Sequence, residues 1–137
     1  LSSYQIQLLL DLGVEEIIAA IFQSFGKFRL IEERLMSAVT CASGSSPAYV
    51  YMFIEAMADG AVAEGMPRKQ AYEFAAQAVY GSAKMVLETG MHPGELKDMV
   101  CSPAGTTIEG IGVLEERGMR SAVMESVRAC VKKTRQL

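Results

Sequence analysis

The stretch Val100-Cys101-Ser102-Pro103-Ala104-Gly105-Thr106-Thr107-Ile108-Glu109 holds the side chains best suited to chemistry. Ser102 and the pair Thr106 and Thr107 flank a Pro-Ala-Gly turn that runs into an apolar helix, and Thr106-x-x-Glu109 matches a capping box. A helix start of this kind aims unpaired backbone N–H groups at solvent beside hydroxyl donors, which suits a carboxylate or a phosphate. Such caps are common, and on this segment alone a plain turn that opens a helix is the simpler reading. A second run of small polar residues, Thr40-Cys41-Ala42-Ser43-Gly44-Ser45-Ser46, reads as another loop before a helix. The two loops are candidates to face one pocket.

Other chemistry-bearing residues fit plainer roles. His92 stands directly before Pro93 and most simply precedes a helix, and the nine Met residues are scattered over apolar faces as core filling. Glycines 105, 110 and 112 lack the G-x-G-x-x-G spacing and follow no strand, so they form no dinucleotide fingerprint and the cofactor-binding residues are unknown. Cys41, Cys101 and Cys130 include no C-x-x-C pair, and an odd number cannot pair completely. They read as reduced, which points to the cytoplasm. With one His and no Cys/His cluster at ligand spacing, no metal is expected.

The elements that must position these residues are read from composition and punctuation. The 137 residues suit one domain and are too few for a complete Rossmann unit plus a substrate domain. Charged residues make up 21% against 50% in the hydrophobic set, so disorder is excluded; a net charge of −3 without a basic tract argues against nucleic acid. The twenty uncharged residues Leu35 to Ile54 have the length of a membrane span, but Ser43 to Pro47 interrupt them with a polar stretch, so no membrane partner is expected. No basic stretch followed by a cleavable apolar one opens the sequence, so no signal peptide is read.

Pro47, Pro67 and Pro93 read as helix starts, and Gly26, Gly65, Gly90 and Gly118 as stops. The spacing predicts helices at 14–25, 47–64, 67–89, 93–100, 107–117 and 119–136, with an earlier helical segment at 3–12. Only Lys27 to Ile31 alternates like a strand. In 67–89 the residues Gln70, Glu73, Gln77, Gly81, Lys84 and Glu88 form one narrow stripe, leaving the rest of that helix largely apolar. Such helices are either central in a tight monomeric bundle or share a core with another subunit. Each apolar side chain left exposed forgoes roughly 1.5–3 kcal/mol of burial, which favours the oligomer.

Several blocks together carry a family resemblance. Ser43-Gly44-Ser45-Ser46-Pro47-Ala48-Tyr49, Ala56-Met57-Ala58-Asp59-Gly60 and Gly65-Met66-Pro67-Arg68 are three of them. Above all, His92-Pro93-Gly94-Glu95-Leu96-Lys97-Asp98 runs into Val100 through Ile108 and on to Gly110, Leu114 and Glu115. The chain resembles pyrroline-5-carboxylate reductase over essentially its whole length, most strongly from Leu35 onward. The resemblance implies an all-α fold, an interlocking helical dimerisation domain like the C-terminal part of 6-phosphogluconate dehydrogenase, with a short remnant of an N-terminal Rossmann domain. Residues 1–32 would be that remnant, its last helix and strand, and 33–137 the dimerisation and substrate-binding domain.

The implied activity is an oxidoreductase reducing 1-pyrroline-5-carboxylate to L-proline with NADPH or NADH, the last step of proline biosynthesis. The cofactor would be bound mainly by a Rossmann domain that this chain lacks. The implied partners are the small-molecule substrate and a second copy in a homodimer, with a decamer as a further assembly. The resemblance carries over four residues. The Ser102 hydroxyl and the N–H groups of Thr106 and Thr107 would hold the substrate carboxylate. The Thr107 hydroxyl would sit near the ring nitrogen as the catalytic group, and Glu33 matches an acidic position near the substrate. Two departures stand out. Ala104 occupies a position where the family usually has Gly, strained if its φ is positive, and Met99 stands where many relatives have Asn near the cofactor. Two alternatives are a catalytically inactive helical dimerisation module from a truncated reductase, and a β-hydroxyacid-type dehydrogenase. The latter needs a catalytic Lys, for which neither Lys84 nor Lys97 has a recognisable context.

Overall fold

Proline and glycine punctuation sets most helix ends in the computed structural model, which describes residues 13–24 and 26–136. The helical segment expected at 3–12 lies outside these residues. The chain divides into two units, Leu1–Met36 and Ser37–Leu137.

In the first unit, α1 (Val14–Gln23) follows Gly13, whose φ of 69° is readily taken by glycine. Glu15 and Glu16 in its first turn complement the positive end of the helix dipole. The helix stops two residues before the expected Phe25, where the Ser24 hydroxyl donates to the Ile21 carbonyl at 2.6 Å. The rings of Phe22 and Phe28 then stack with centroids 6.1 Å apart. Lys27 to Ile31, expected as a strand, does not form one. A strand exists only through hydrogen bonds to a neighbour, and no described residue forms a strand for it to pair with. A short 3₁₀ turn, Glu33–Leu35, ends the unit, with the Arg34 guanidinium paired to the Glu32 carboxylate beside it.

A single short helix, α2 (Met36–Val39), leads into a π-helical turn over Thr40–Gly44 and then α3 (Ser46–Ala63). The expected polar loop at Thr40–Ser46 is therefore helical. Its hydroxyls explain the difference: Ser43 donates to the Val39 carbonyl at 2.6 Å and Ser46 to the Ala42 carbonyl at 2.8 Å. These bonds turn residues that favour loops inward onto the helix's own backbone. Pro47 has no N–H for the Ser43 carbonyl, and the Ser46 hydroxyl reaches that oxygen at 3.4 Å instead. The π turn closes where the Ser45 N–H donates to the Thr40 carbonyl five residues back, at 3.1 Å.

Helix α3 folds back onto α4 (Arg68–Thr89) through a turn built on Gly65, φ 97°. The Gly65 N–H donates to the Val62 carbonyl and the Met66 N–H to the Ala61 carbonyl, the paired bonds of a Schellman cap. Met66 and Ala61 both pack against the small core at the closed end. Ala58, Ala71 and Ala75 form that core, with Ile54 and Val62 partly buried around it. Arg68 ties the hairpin by pairing with Asp59 while its guanidinium lies 5.6 Å from the Tyr72 ring centroid. Three further helices complete the unit: α5 (Pro93–Val100), α6 (Thr106–Glu116) and α7 (Met119–Thr134). All five helices expected from 47 onward are present, their ends within two residues of expectation.

The large apolar side chains are not inside. Tyr51, Phe74 and Leu87 are 69%, 66% and 64% exposed, and Met52, Tyr80, Met99 and Val100 are similar. Among described residues the buried hydrophobic set is Cys41 and the three alanines, so a tight monomeric bundle with α3 and α4 at its centre is not what this chain builds. Substituting Ala71→Leu would overpack the alanine seam and destabilise the hairpin by about 1–3 kcal/mol, seen as a lower denaturation midpoint. An unchanged midpoint would show that the seam is not closely packed.

Candidate functional site

The site is built on the connection from α5 to α6. Pro93 opens α5 at a position where its missing N–H costs nothing. Before it, the His92 Nδ1 accepts from the Gly94 N–H at 3.0 Å, capping the helix. A Cβ on residue 94 would lie 2.9 Å from that nitrogen, so glycine there makes room for the imidazole. His92 is thus occupied as a cap, in keeping with its expected place directly before a helix. At the other end the Cys101 N–H donates to the Asp98 carbonyl at 3.0 Å and the chain leaves the helix.

Ser102 to Gly105 then form a tight turn closed by the Gly105 N–H on the Ser102 carbonyl at 3.0 Å. Pro103 fixes a negative φ at its first central position, and Ala104 follows with φ 56°. That combination belongs to a type II turn, whose second central residue is usually glycine. Ala104 is the one non-glycine with positive φ among the described residues, and it carries the strain that the sequence flagged there. Gly105 is extended, φ −80°, and its smallness serves space rather than conformation. A Cβ there would lie 2.2 Å from the Ser102 hydroxyl oxygen, so the bare Gly105 backbone is what lets that hydroxyl fold over the turn.

The expected capping box does not form. Gly105 is the N-cap of α6, no side chain caps the helix, and Thr106 is its first helical residue. A capping threonine must sit outside the helix with β-like dihedrals, and the Pro-Ala turn delivers Gly105 to that position instead. The first N–H groups of α6 consequently have no intrahelical acceptor and no side-chain cap. The turn brings together Ser102, Thr106 and Thr107, three hydroxyl side chains at one helix N-terminus, all exposed. The arrangement presents backbone N–H and O–H donors with the positive end of a helix dipole behind them.

Glu33 opens the 3₁₀ turn of the first unit and is exposed. The second polar run is helical, and its Ser43 and Ser46 hydroxyls are spent on the π turn. Lys84 is paired with Glu88, and Lys97 with Asp98, whose carboxylate pushes the Lys97 ammonium pKa up. Met99 lines an apolar groove of about 380 Å³ with Met85, Val86, Leu96 and Val100; none of Ser102, Thr106 and Thr107 lines it. Sequence reasoning missed one grouping. Cys41 and Cys130 come together with Ser45 and Thr134; sequence separations of 85 and 93 residues gave no local signal for it.

Residues 33–137 match a family described as pyrroline-5-carboxylate reductase dimerisation. The chain belongs to the pyrroline-5-carboxylate reductase family. It is 65% identical over 117 residues to the pyrroline-5-carboxylate reductase of Escherichia coli K12, a match covering 85% of this chain and 44% of that protein. The corresponding protein of Methanosarcina acetivorans is 59% identical over 117 residues, again 85% of this chain and 43% of the relative. The chain thus spans less than half the length of these reductases. Among solved structures, the Plasmodium falciparum pyrroline carboxylate reductase with NADP bound superposes with a TM-score of 0.79 at 35% identity, over 87% of this chain and 48% of that one. The Streptococcus pyogenes 1-pyrroline-5-carboxylate reductase gives 0.82 at 36% identity, over 88% and 46%. The all-helical dimerisation fold of the reductase family is the fold of this chain.

Relief of the strained turn is measurable. Ala104→Gly should stabilise the protein by about 0.5–1 kcal/mol, the left-handed penalty less the added chain entropy of glycine. A lowered denaturation midpoint would mean that Ala104 is not strained.

Proposed function

We propose that this chain supplies the substrate loop and the dimer core of a reductase that converts 1-pyrroline-5-carboxylate to L-proline with NADPH or NADH in the cytoplasm. The reading rests on the Ser102–Thr107 turn, where a helix N-terminus without a side-chain cap meets three hydroxyls in a member of the reductase family. The Ser102 hydroxyl and the N–H groups of Thr106 and Thr107 would donate to the substrate carboxylate. Charge-assisted bonds of this kind are the stronger class. The Thr107 hydroxyl would accept from the protonated ring nitrogen and orient the imine, whose carbon is more readily reduced when that nitrogen carries a proton. A threonine is a poor proton source, so its role is orientation. Glu33 is proposed as an acidic neighbour of the substrate.

The cofactor is assigned no residue of this chain. Gly105 caps α6 while Gly110 and Gly112 lie inside it, so these glycines make no strand-to-helix cradle for a pyrophosphate. In the domain organisation we propose, residues 1–32 belong with a cofactor-binding domain and 33–137 with substrate and dimer. The exposed apolar faces of α3 and α4 support a homodimer, since a second copy would cover them. No described helix is long and apolar enough to cross a membrane.

The test replaces the matching part of the Escherichia coli relative with this chain and measures substrate-dependent NADPH oxidation. The chimera should turn over, and this chain alone should not. Thr107→Ala or Ser102→Ala should each lower kcat/KM by about 10–100-fold, the loss of one charge-assisted hydrogen bond. An unchanged value would remove that residue from the site. Light scattering of the chain alone should give twice its mass, with a decamer distinguishable by size. A monomer at tens of micromolar would overturn the dimer-core assignment.

A further inference from the structure

Outside the turn, the cluster that the proposed reaction leaves unused joins the π turn to the last helix. Cys41 is fully buried in the π turn, and its Sγ lies 3.5 Å from the Thr134 hydroxyl near the end of α7. The Cys130 thiol, one turn earlier on α7, donates to the Ser45 hydroxyl at 3.3 Å. The Thr134 hydroxyl donates back to the Cys130 carbonyl at 3.0 Å, which fixes both residues on one side of α7. Each cysteine therefore touches the hydroxyl one turn along from the other, and the two thiols are one another's foremost electrostatic neighbours. The third cysteine, Cys101, sits before the substrate turn and takes no part.

The two thiols are not equivalent. Cys130 is partly exposed and Cys41 is not. The hydrogen-bonding environment, led by Cys41 and then Ser45, holds the Cys130 thiol below its ordinary pKa. The same neighbour, Cys130, pushes Cys41 up. An accessible thiol with more thiolate character is the one an oxidant attacks, and a buried partner beside it is placed to resolve the product.

We propose that Cys130 and Cys41 form a reversible intrachain disulfide on exposure to a hydroperoxide, fastening the π turn to α7. The Cys130 thiolate attacks one peroxide oxygen and the O–O bond breaks. Cys130 becomes a sulfenic acid, and with hydrogen peroxide the other oxygen leaves as hydroxide. That hydroxide takes the Cys41 proton and becomes water. The Cys41 thiolate then attacks the Cys130 sulfur, forming S–S and breaking S–O, and the second oxygen leaves as water on gaining a proton. Two thiols lose two electrons and two protons, and one hydrogen peroxide becomes two waters. A dithiol reductant reverses the change. The inference does not depend on the chain's acting as a reductase.

The experiment treats the folded chain with hydrogen peroxide, blocks free thiols with iodoacetamide in denaturant, and maps the peptides by mass spectrometry. The expected product is a chain lighter by two hydrogens, with Cys41 joined to Cys130 and Cys101 alkylated. Its thermal midpoint should rise by roughly 5–15 °C over the reduced form, and dithiothreitol should return it. Cys130→Ser should abolish the two-hydrogen loss, whereas Cys41→Ser should let Cys130 proceed to the sulfinic acid. Because the mapping uses the unaltered chain, poor folding of either variant leaves the test intact. A bond to Cys101, a bond between chains, or sulfinic acid at Cys130 in the unaltered chain would overturn the proposal.

Discussion

Long helices bury their apolar stripes against something, and in this chain the facing surface available to α3 and α4 is narrow. The seam between them is lined by Ala58, Ala71 and Ala75, which let the two backbones approach closely but bury little area each. Their larger residues, Tyr51, Met52, Phe74, Tyr80 and Leu87, point away from that seam. At about 25 cal/mol per Å², three alanines cannot offset the conformational entropy of forty ordered helical residues. The hairpin is therefore shaped by its own contacts and stabilised by surface it does not supply. This links the sequence to the family description, in which dimerisation names the role of the domain.

The same economy governs the α5–α6 connection. His92 caps one helix with its imidazole, whereas the other helix is left without a side-chain cap. A turn containing Pro103 and Ala104 places Gly105 at the boundary and keeps Thr106 inside the helix, so hydroxyls that would ordinarily be consumed by capping stay exposed. Strain at Ala104 accompanies this arrangement.

Much of this is legible in the amino-acid sequence. Proline and glycine mark most limits of α3 to α7 because their backbone restrictions act locally. The block from His92 to Glu115 points to the family. What the sequence does not convey falls into two kinds. Local competition misleads where a side chain has two comparable options: the serines of Thr40–Ser46 bond helical carbonyls instead of opening a loop, and Thr106 yields the cap to Gly105. Distance along the chain conceals the rest. A strand at Lys27 to Ile31 needs a neighbour that periodicity cannot provide, and Cys41 meets Cys130 only because the helices between them return the chain to the π turn.

The π turn has a consequence for how this protein tolerates length changes. Its i to i+5 closure holds one residue more than the same turn of α-helix. Because the extra residue is what widens the turn, removing a single residue between Cys41 and Ser45 would let the segment close as regular helix with little rotation of Cys41 relative to α3, whereas the same deletion inside α3 would rotate what precedes it by about 100°. A deletion that is disruptive elsewhere in a helix would act here as the loss of a bulge.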